Sequence, residues 1–199
     1  MKRAHLAKII KYIPFNWLRI SLYKTLLGYQ IGKNVSIGKS FILCDTVEIL
    51  DNSIIRNNTF ISCKNLSVGA GTKINSGNTI MGRADFTIGE NSRIINEHFF
   101  DVSDNIRIGN NSWIAGKASQ FWTHGSIHTK DRSKDLSISI KDNVYIGSNV
   151  SFAPGVKIES LNLIGLGSVV HSSINSSHNI IVGNPAKIIK ENIDWRKNW

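Results

Sequence analysis

Residues 140–165 read Ile-Lys-Asp-Asn-Val-Tyr-Ile-Gly-Ser-Asn-Val-Ser-Phe-Ala-Pro-Gly-Val-Lys-Ile-Glu-Ser-Leu-Asn-Leu-Ile-Gly. Every sixth residue is apolar: Ile140, Ile146, Phe152, Ile158 and Ile164. The series continues through Val170, Ser176, Val182 and Ile188. Upstream it recurs at Ile31, Ile37, Leu43, Ile49, Ile55 and Ile61, then at Val68, Ile74 and Ile80, at Ile88, Ile94 and Phe100, and at Ile108, Ile114 and Gln120. All these positions are apolar except Gln120 and Ser176. A period of six fits neither a 3.6-residue helix nor a simple strand alternation. It fits a short strand, a corner and another short strand.

Two further regularities support that geometry. Gly follows the hexad residue at positions 32, 38, 69, 89, 109, 147, 165 and 183, where a tight corner favours its backbone freedom. Four residues after the hexad position stand compact side chains such as Val35, Thr72, Ser92, Val144 and Val156, suited to the inside of a bend. Gly147, Gly165 and Gly183 are spaced by three hexads, and Gly69, Gly89 and Gly109 by three hexads plus a bulge. Three hexads per turn describe a triangular prism with a parallel sheet on each side, its coils about 4.8 Å apart. The expected fold is therefore an all-β parallel solenoid of roughly seven or eight coils over residues 31–190.

The ends differ. Leu6, Ile9, Ile10 and Ile13 have helical spacing, with Lys8 and Lys11 opposite and Pro14 as a breaker. An apolar second helix over 15–27 stops at Gly28. Residues 1–30 are expected to form an N-terminal helical segment that caps the first coil, rests on an anionic membrane through residues 1–28, or does both. Residues 191–199 form a tail, with a short helix expected over the last coil. Residues 121–139 break the rhythm, and a long excursion of this kind marks function.

Composition sets limits. The 199 residues are 41% hydrophobic and 19% charged, and no apolar run is long enough to span a bilayer. The net charge is +10, and basic residues including Lys2, Arg3, Lys8, Lys11, Arg19, Lys24 and Lys33 precede the first acid, Asp45. Such an end suits an anionic lipid or a phosphate-bearing ligand. The basic residues scatter along the coils without an aromatic stacking platform, so nucleic acid is not an expected partner. Two cysteines, Cys44 and Cys63, make neither a disulfide framework nor a zinc cluster, and a cytoplasmic location is expected.

The hexads resemble the left-handed β-helix of hexapeptide-repeat acyltransferases, and the left hand is implied by that resemblance. Thr123-His124-Gly125, followed after a loop by Val144-Tyr145-Ile146-Gly147-Ser148, matches the family's catalytic pattern. The resemblance implies an acetyl-CoA-dependent O-acetyltransferase, a homotrimer with sites between subunits, and direct transfer with His124 as general base. Tyr145 stands where the family has Trp on the donor groove. Ser148 matches a backbone donor to the thioester oxygen, and Gly165-Leu166-Gly167 the track of the pantetheine arm. Lys187 and Lys190 match contacts to the nucleotide phosphates, whereas His171-Ser172 replaces a Thr-Lys pair and removes one such contact. Asn96 and Glu97 are candidates to orient the acceptor. His98, at an inward corner position, reads as packed, and His128 has no assigned role. Residues 118–125, with 13–19 upstream, resemble acetyltransferases of bacterial surface-polysaccharide synthesis, which implies a sugar hydroxyl as acceptor and contact with the inner face of the cytoplasmic membrane. No metal is expected. The alternatives are a γ-carbonic-anhydrase-like metalloenzyme using His98, His124 and His128, and a non-catalytic solenoid that binds a partner.

Overall fold

The computed structural model describes residues 3–125 and 134–198. His128 and the middle of the 121–139 excursion lie outside the described residues. Two helices, α1 (Arg3–Tyr12) and α2 (Asn16–Leu27), lead into a parallel β-solenoid. It has about eight turns, each visiting three faces, and fits a left-handed β-helix.

Face 1 carries Ile31, Ile49, Val68, Ile88, Ile108, Ile140 and Ile158 inward. Face 2 stacks Ile37, Ile55, Ile74, Ile94, Ile114, Ile146, Ile164 and Ile181 in register. Face 3 stacks Ile42, Ile61, Ile80, Phe100, Phe121, Phe152 and Val170. All are buried, which removes their apolar area from water. Phe100, Phe121 and Phe152 stack with ring centroids 4.5 and 4.7 Å apart, the spacing of the coils themselves.

The hexad register slips in four places. Ile42 points inward rather than Leu43. Phe121 replaces Gln120, because a bulge between Ile114 and Lys117 inserts a residue. Ile174, bridged to Ile158, stands in for Ser176, and Ile181 for Val182. Ile188 is exposed on an antiparallel hairpin strand, Ala186–Lys190, which pairs with Ile180–Gly183 on the edge of face 2.

The glycines after the hexad residues do not serve as left-handed corners, Gly183 apart. They make room for the next coil. A Cβ on Gly109 would lie 2.7 Å from the Asp142 nitrogen, and one on Gly69 2.5 Å from that of Glu90. The left-handed residue comes two positions later and is mostly Asn: Asn34, Asn52, Asn58, Asn91, Asn111, Asn143 and Asn149 all have positive φ. Asn tolerates that region better than other residues with a Cβ. The next position is buried, as expected, and often a hydroxyl. Thr72, Ser92 and Ser112 each accept the backbone N–H of the coil above, at 3.0–3.1 Å. Corner backbone groups that no strand can pair are satisfied in this way.

At the N-terminal end α2 covers the first coil with buried Tyr23 and Leu27 and stops at Gly28, whose φ is 71°. The Asn16 amide donates to the Val35 carbonyl and accepts from the Ile37 N–H, and Arg19 donates to the Ile37 carbonyl at 2.9 Å. No helix among the described residues is long and apolar enough to cross a membrane. The C-terminal 3-10 helix, Trp195–Asn198, does not lie over the last coil. It folds back along face 2, where Trp195 Nε1 donates to the Asn143 carbonyl at 2.8 Å.

Candidate active site

The chain leaves face 3 after Phe121 and rejoins face 1 at Ile138. Between them Thr123 is buried. Its hydroxyl donates to the Asp101 carbonyl at 2.6 Å and accepts the Asp104 N–H at 2.9 Å, which fixes the exit of the chain. The next residue, His124, is thereby held outside the prism with its side chain 56% exposed. Its Nδ1 is hydrogen-bonded to Asp101 Oδ2. The Trp122 indole meets the imidazole edge-on, with centroids 5.5 Å apart.

Asp101 belongs to the coil below, paired with Met81 in register and facing outward. Its second oxygen accepts the N–H and hydroxyl of Ser103 at 3.0 and 2.6 Å. Burial alone raises the Asp101 pKa. The bonds from His124 and Ser103 outweigh it, and the carboxyl is held below its ordinary value. A carboxylate on Nδ1 selects the tautomer with Nδ1–H and leaves the Nε2 lone pair free for a proton. Sequence reasoning missed Asp101.

The other candidates lie elsewhere. Ser148 stands at the opposite edge of face 3, between Tyr145–Ile146 on face 2 and Ser151–Phe152 on face 3. Gly165, Leu166 and Gly167 stack directly above it, with the Gly167 N–H donating to the Ser148 carbonyl at 3.0 Å. A Cβ on Gly147 would touch Leu166, and Leu166 itself is 75% exposed. These four and Gly147 therefore form one continuous edge. Lys187 pairs with Val182 near the top of it, whereas the antiparallel strand carries Lys190 back to Ile180, away from the edge. Tyr145 points outward on face 2 against Trp195, with centroids 5.4 Å apart. Asn96 and Glu97 sit on the Ser148 edge two coils below, where Asn96 accepts the Ser76 N–H at 3.2 Å. Neither stands beside His124 of the same chain.

Of the histidines of the metalloenzyme alternative, His128 lies outside the described residues, and the other two stand apart, His124 on the outside of the prism and His98 within it. His98 is buried inside the corner between faces 2 and 3, and its Nδ1 accepts the Ser119 N–H at 3.1 Å. Its Nε2 faces the Gly116 and Ile114 carbonyls without a well-formed bond. Burial, only partly offset by those carbonyls, pushes its pKa down to about 4. Among the described residues no cluster of His, Cys, Asp or Glu has the make-up of a metal site.

The hexad-built prism fits a left-handed β-helix, and one of its edges carries a carboxylate-held histidine. No protein-family model matches the chain. It is 29% identical over 122 residues to galactoside O-acetyltransferase of Escherichia coli, covering 61% of this chain and 58% of that protein. It is 36% identical over 97 residues to a Schizosaccharomyces pombe protein named as an acetyltransferase, covering 47% and 46%. The chain thus matches about half the length of these curated relatives. Among solved structures it is similar to the polySia-specific acetyltransferase NeuO, with 26% identity and a TM-score of 0.53 over 84% of this chain and 83% of that one. A galactoside acetyltransferase in complex with coenzyme A, 22% identical, has the same fold with a TM-score of 0.50 over 97% and 80%.

Proposed function

We propose that the protein is an acetyl-CoA-dependent O-acetyltransferase acting on a sugar hydroxyl of a surface polysaccharide, its precursor or a related glycan. The observation that carries this reading is the His124–Asp101 pair, an oriented base mounted where solvent and substrate reach it. Acetyl-CoA supplies the activated acyl group. Nε2 of His124 takes the acceptor hydroxyl proton while Asp101 stabilises the imidazolium that forms. The acceptor oxygen then bonds to the acyl carbon as its bond to sulfur breaks. His124 returns the proton to the departing thiolate, so that an ester and a free thiol leave. The backbone at Ser148 is the donor for the developing oxyanion. The glycine edge at Gly147, Gly165 and Gly167 admits a thin pantetheine arm, and Lys187, near the top of that edge, offers a cation to the phosphates of the coenzyme, whereas Lys190 lies too far back along its strand to share that role.

His124 and the Ser148 edge flank face 3 on opposite sides of one chain. A working site therefore joins His124 of one copy to the Ser148 edge of another, and a closed trimer satisfies this with face 3 turned to the threefold axis. The outward side chains support that arrangement. Face 3 presents Phe41 stacked on Phe60, exposed Met81, and Phe99 against Trp122. Face 1 presents Gln30, Glu48, Ser67, Thr87, Arg107, Ser139 and Lys157. Asn96 and Glu97 then meet the acceptor from the neighbouring chain.

A lipid-linked acceptor gives the helical elbow a role at the inner face of the cytoplasmic membrane. Tyr12 and Trp17 are 71% and 69% exposed, with Ile9, Phe15, Lys8 and Lys11 beside them. The test of the whole reading is incubation with acetyl-CoA and a panel of nucleotide sugars and glycans, measuring thiol release. Release that depends on a sugar and disappears in His124→Ala supports it. Undiminished release in that variant overturns it.

A further inference from the structure

Phe121 lies in register above Phe100, and Ile138 above Ile106, offsets of 21 and 32 residues. The difference, 11 residues, is an insertion into a single corner. By the first offset His124 stacks above Ser103, and by the second Leu136 stacks above Asp104. Where the lower coil passes from Ser103 to Asp104 through one peptide bond, the upper coil leaves at His124 and returns at Leu136. A corner normally held by its own chain is therefore open beside the base. Asp104 bridges the gap. Its Oδ2 accepts the Leu136 N–H at 3.1 Å and its Oδ1 the Asn105 N–H at 2.7 Å. Its own N–H donates to the Thr123 hydroxyl at 2.9 Å. One residue thus holds the chain on both sides of the insertion. The return is seated further by the Asn105 carbonyl, which accepts the Ile138 N–H, and by the Leu136 carbonyl, which accepts the Gly155 N–H of the coil above, both at 3.0 Å. Among the described residues no cation forms an ion pair with Asp104.

We propose that Asp104 is a positioning residue for His124: its carboxylate closes the mouth of the insertion and so keeps the imidazole against Asp101. It acts through the chain rather than on the substrate. The bond between His124 and Asp101 joins two coils, and the Nδ1–H tautomer is enforced only while that bond persists. Without the Asp104 carboxylate the Leu136 N–H loses its acceptor and the turn at Asn105 loses its brace. The backbone that meets Thr123 then loosens, and His124 leaves Asp101 in a share of molecules. There the Nε2–H tautomer forms, which cannot take a proton from the acceptor hydroxyl. A small displacement of a reacting group costs rate more than it costs binding. The donor edge at Ser148 lies across face 3, so affinity for acetyl-CoA is unaffected. The hold on His124 is argued from this corner alone, and only its kinetic consequence rests on the acetyl-transfer reading.

The experiment combines steady-state kinetics with NMR of the His124 ring nitrogens, in full-length protein carrying isotope-labelled histidine, for the wild type, Asp104→Ala and Asp104→Asn. The His124 signals are those missing from His124→Ala. In alkaline buffer the wild type should show the Nδ1–H tautomer. Asp104→Ala should show a mixture of tautomers, a kcat lower by about tenfold and an unchanged KM for acetyl-CoA. Asp104→Asn keeps an acceptor oxygen for one of the two N–H groups and should fall between them. A merely structural role would lower kcat in step with the folded fraction and leave the tautomer of the folded molecules as in the wild type. A wild-type tautomer in folded Asp104→Ala, or a rate loss accounted for by its folded fraction, overturns the proposal. If Asp104→Ala does not fold, Asp104→Asn decides by the same two readings. If the tautomers shift as expected but the wild type acetylates no acceptor, the hold on His124 stands and the enzymatic reading fails.

Discussion

Acidification should destabilise this solenoid through His98, and the size of the effect follows from the buried corner it occupies. The folded protein holds the imidazole neutral, with a pKa pushed down to about 4, whereas an unfolded chain returns it to about 6.5. The stability is complete above the unfolded value. As pH falls, the unfolded state binds a proton that the folded state refuses, and the loss grows until pH reaches the folded value. Between pH 7 and pH 5 the single-site expression gives about 2 kcal/mol. The control is His98→Asn. One coil below, Asn78 uses its Oδ1 to accept the His98 N–H at 2.9 Å, so an Asn at 98 can accept the Ser119 N–H that His98 now holds. Urea unfolding of both proteins at the two pH values measures the difference. The wild type should lose about 2 kcal/mol more than the variant on acidification. Equal losses would mean that His98 is not the buried neutral group described here.

Asp101→Asn should lower the maximal rate of acetyl transfer about 100-fold with little change in acceptor KM, because an amide no longer enforces the Nδ1–H tautomer. Steady-state kinetics check this, and partial rescue by Asp101→Glu separates orientation of the base from a structural role. The Asp101 carboxylate, held below its ordinary value, should contribute to stability above about pH 4 and lose that contribution only as pH falls through its lowered pKa. Asp101→Asn should flatten that acid limb in unfolding curves. Phe121→Ala, in the middle of the three-ring stack, should cost about 3–5 kcal/mol and lower the melting temperature. Gly109→Ala, whose Cβ meets backbone of the next coil, should cost about 1–3 kcal/mol although its φ is ordinary.

The prism was legible because its signal is local. Each face needs one inward residue per six, and Ile37 through Ile181 supply it. The register slips were less legible, because a bulge at 114–117 moves the inward position from Gln120 to Phe121 without altering local composition. The glycine pattern was visible but its cause was not. It reflects contact between coils about twenty residues apart, while Asn takes the left-handed corner. Position 124 was readable from Thr123-His124-Gly125. Its partner was not, since Asp101 is one of many outward residues on face 3 and is singled out only by the coil that returns above it. Asn96 and Glu97 share the coil of Asp101 but stand on the Ser148 edge, across face 3 from His124 of the same chain. An acid immediately after the hexad residue Phe100 was the available signal. The tail was misplaced because Trp195 binds two coils below the end of face 2, a contact that no periodicity encodes.

The most direct test of the account mixes two damaged chains. His124→Ala removes the base from one edge, and Leu166→Trp, at an exposed corner, fills the groove on the other. Each alone should be inactive. Co-expressed in equal amounts, they should pair an intact His124 with an intact Ser148 edge at about one interface in four, restoring about a quarter of wild-type thiol release. A mixture as inactive as its parents would contradict a site built between two copies of the chain.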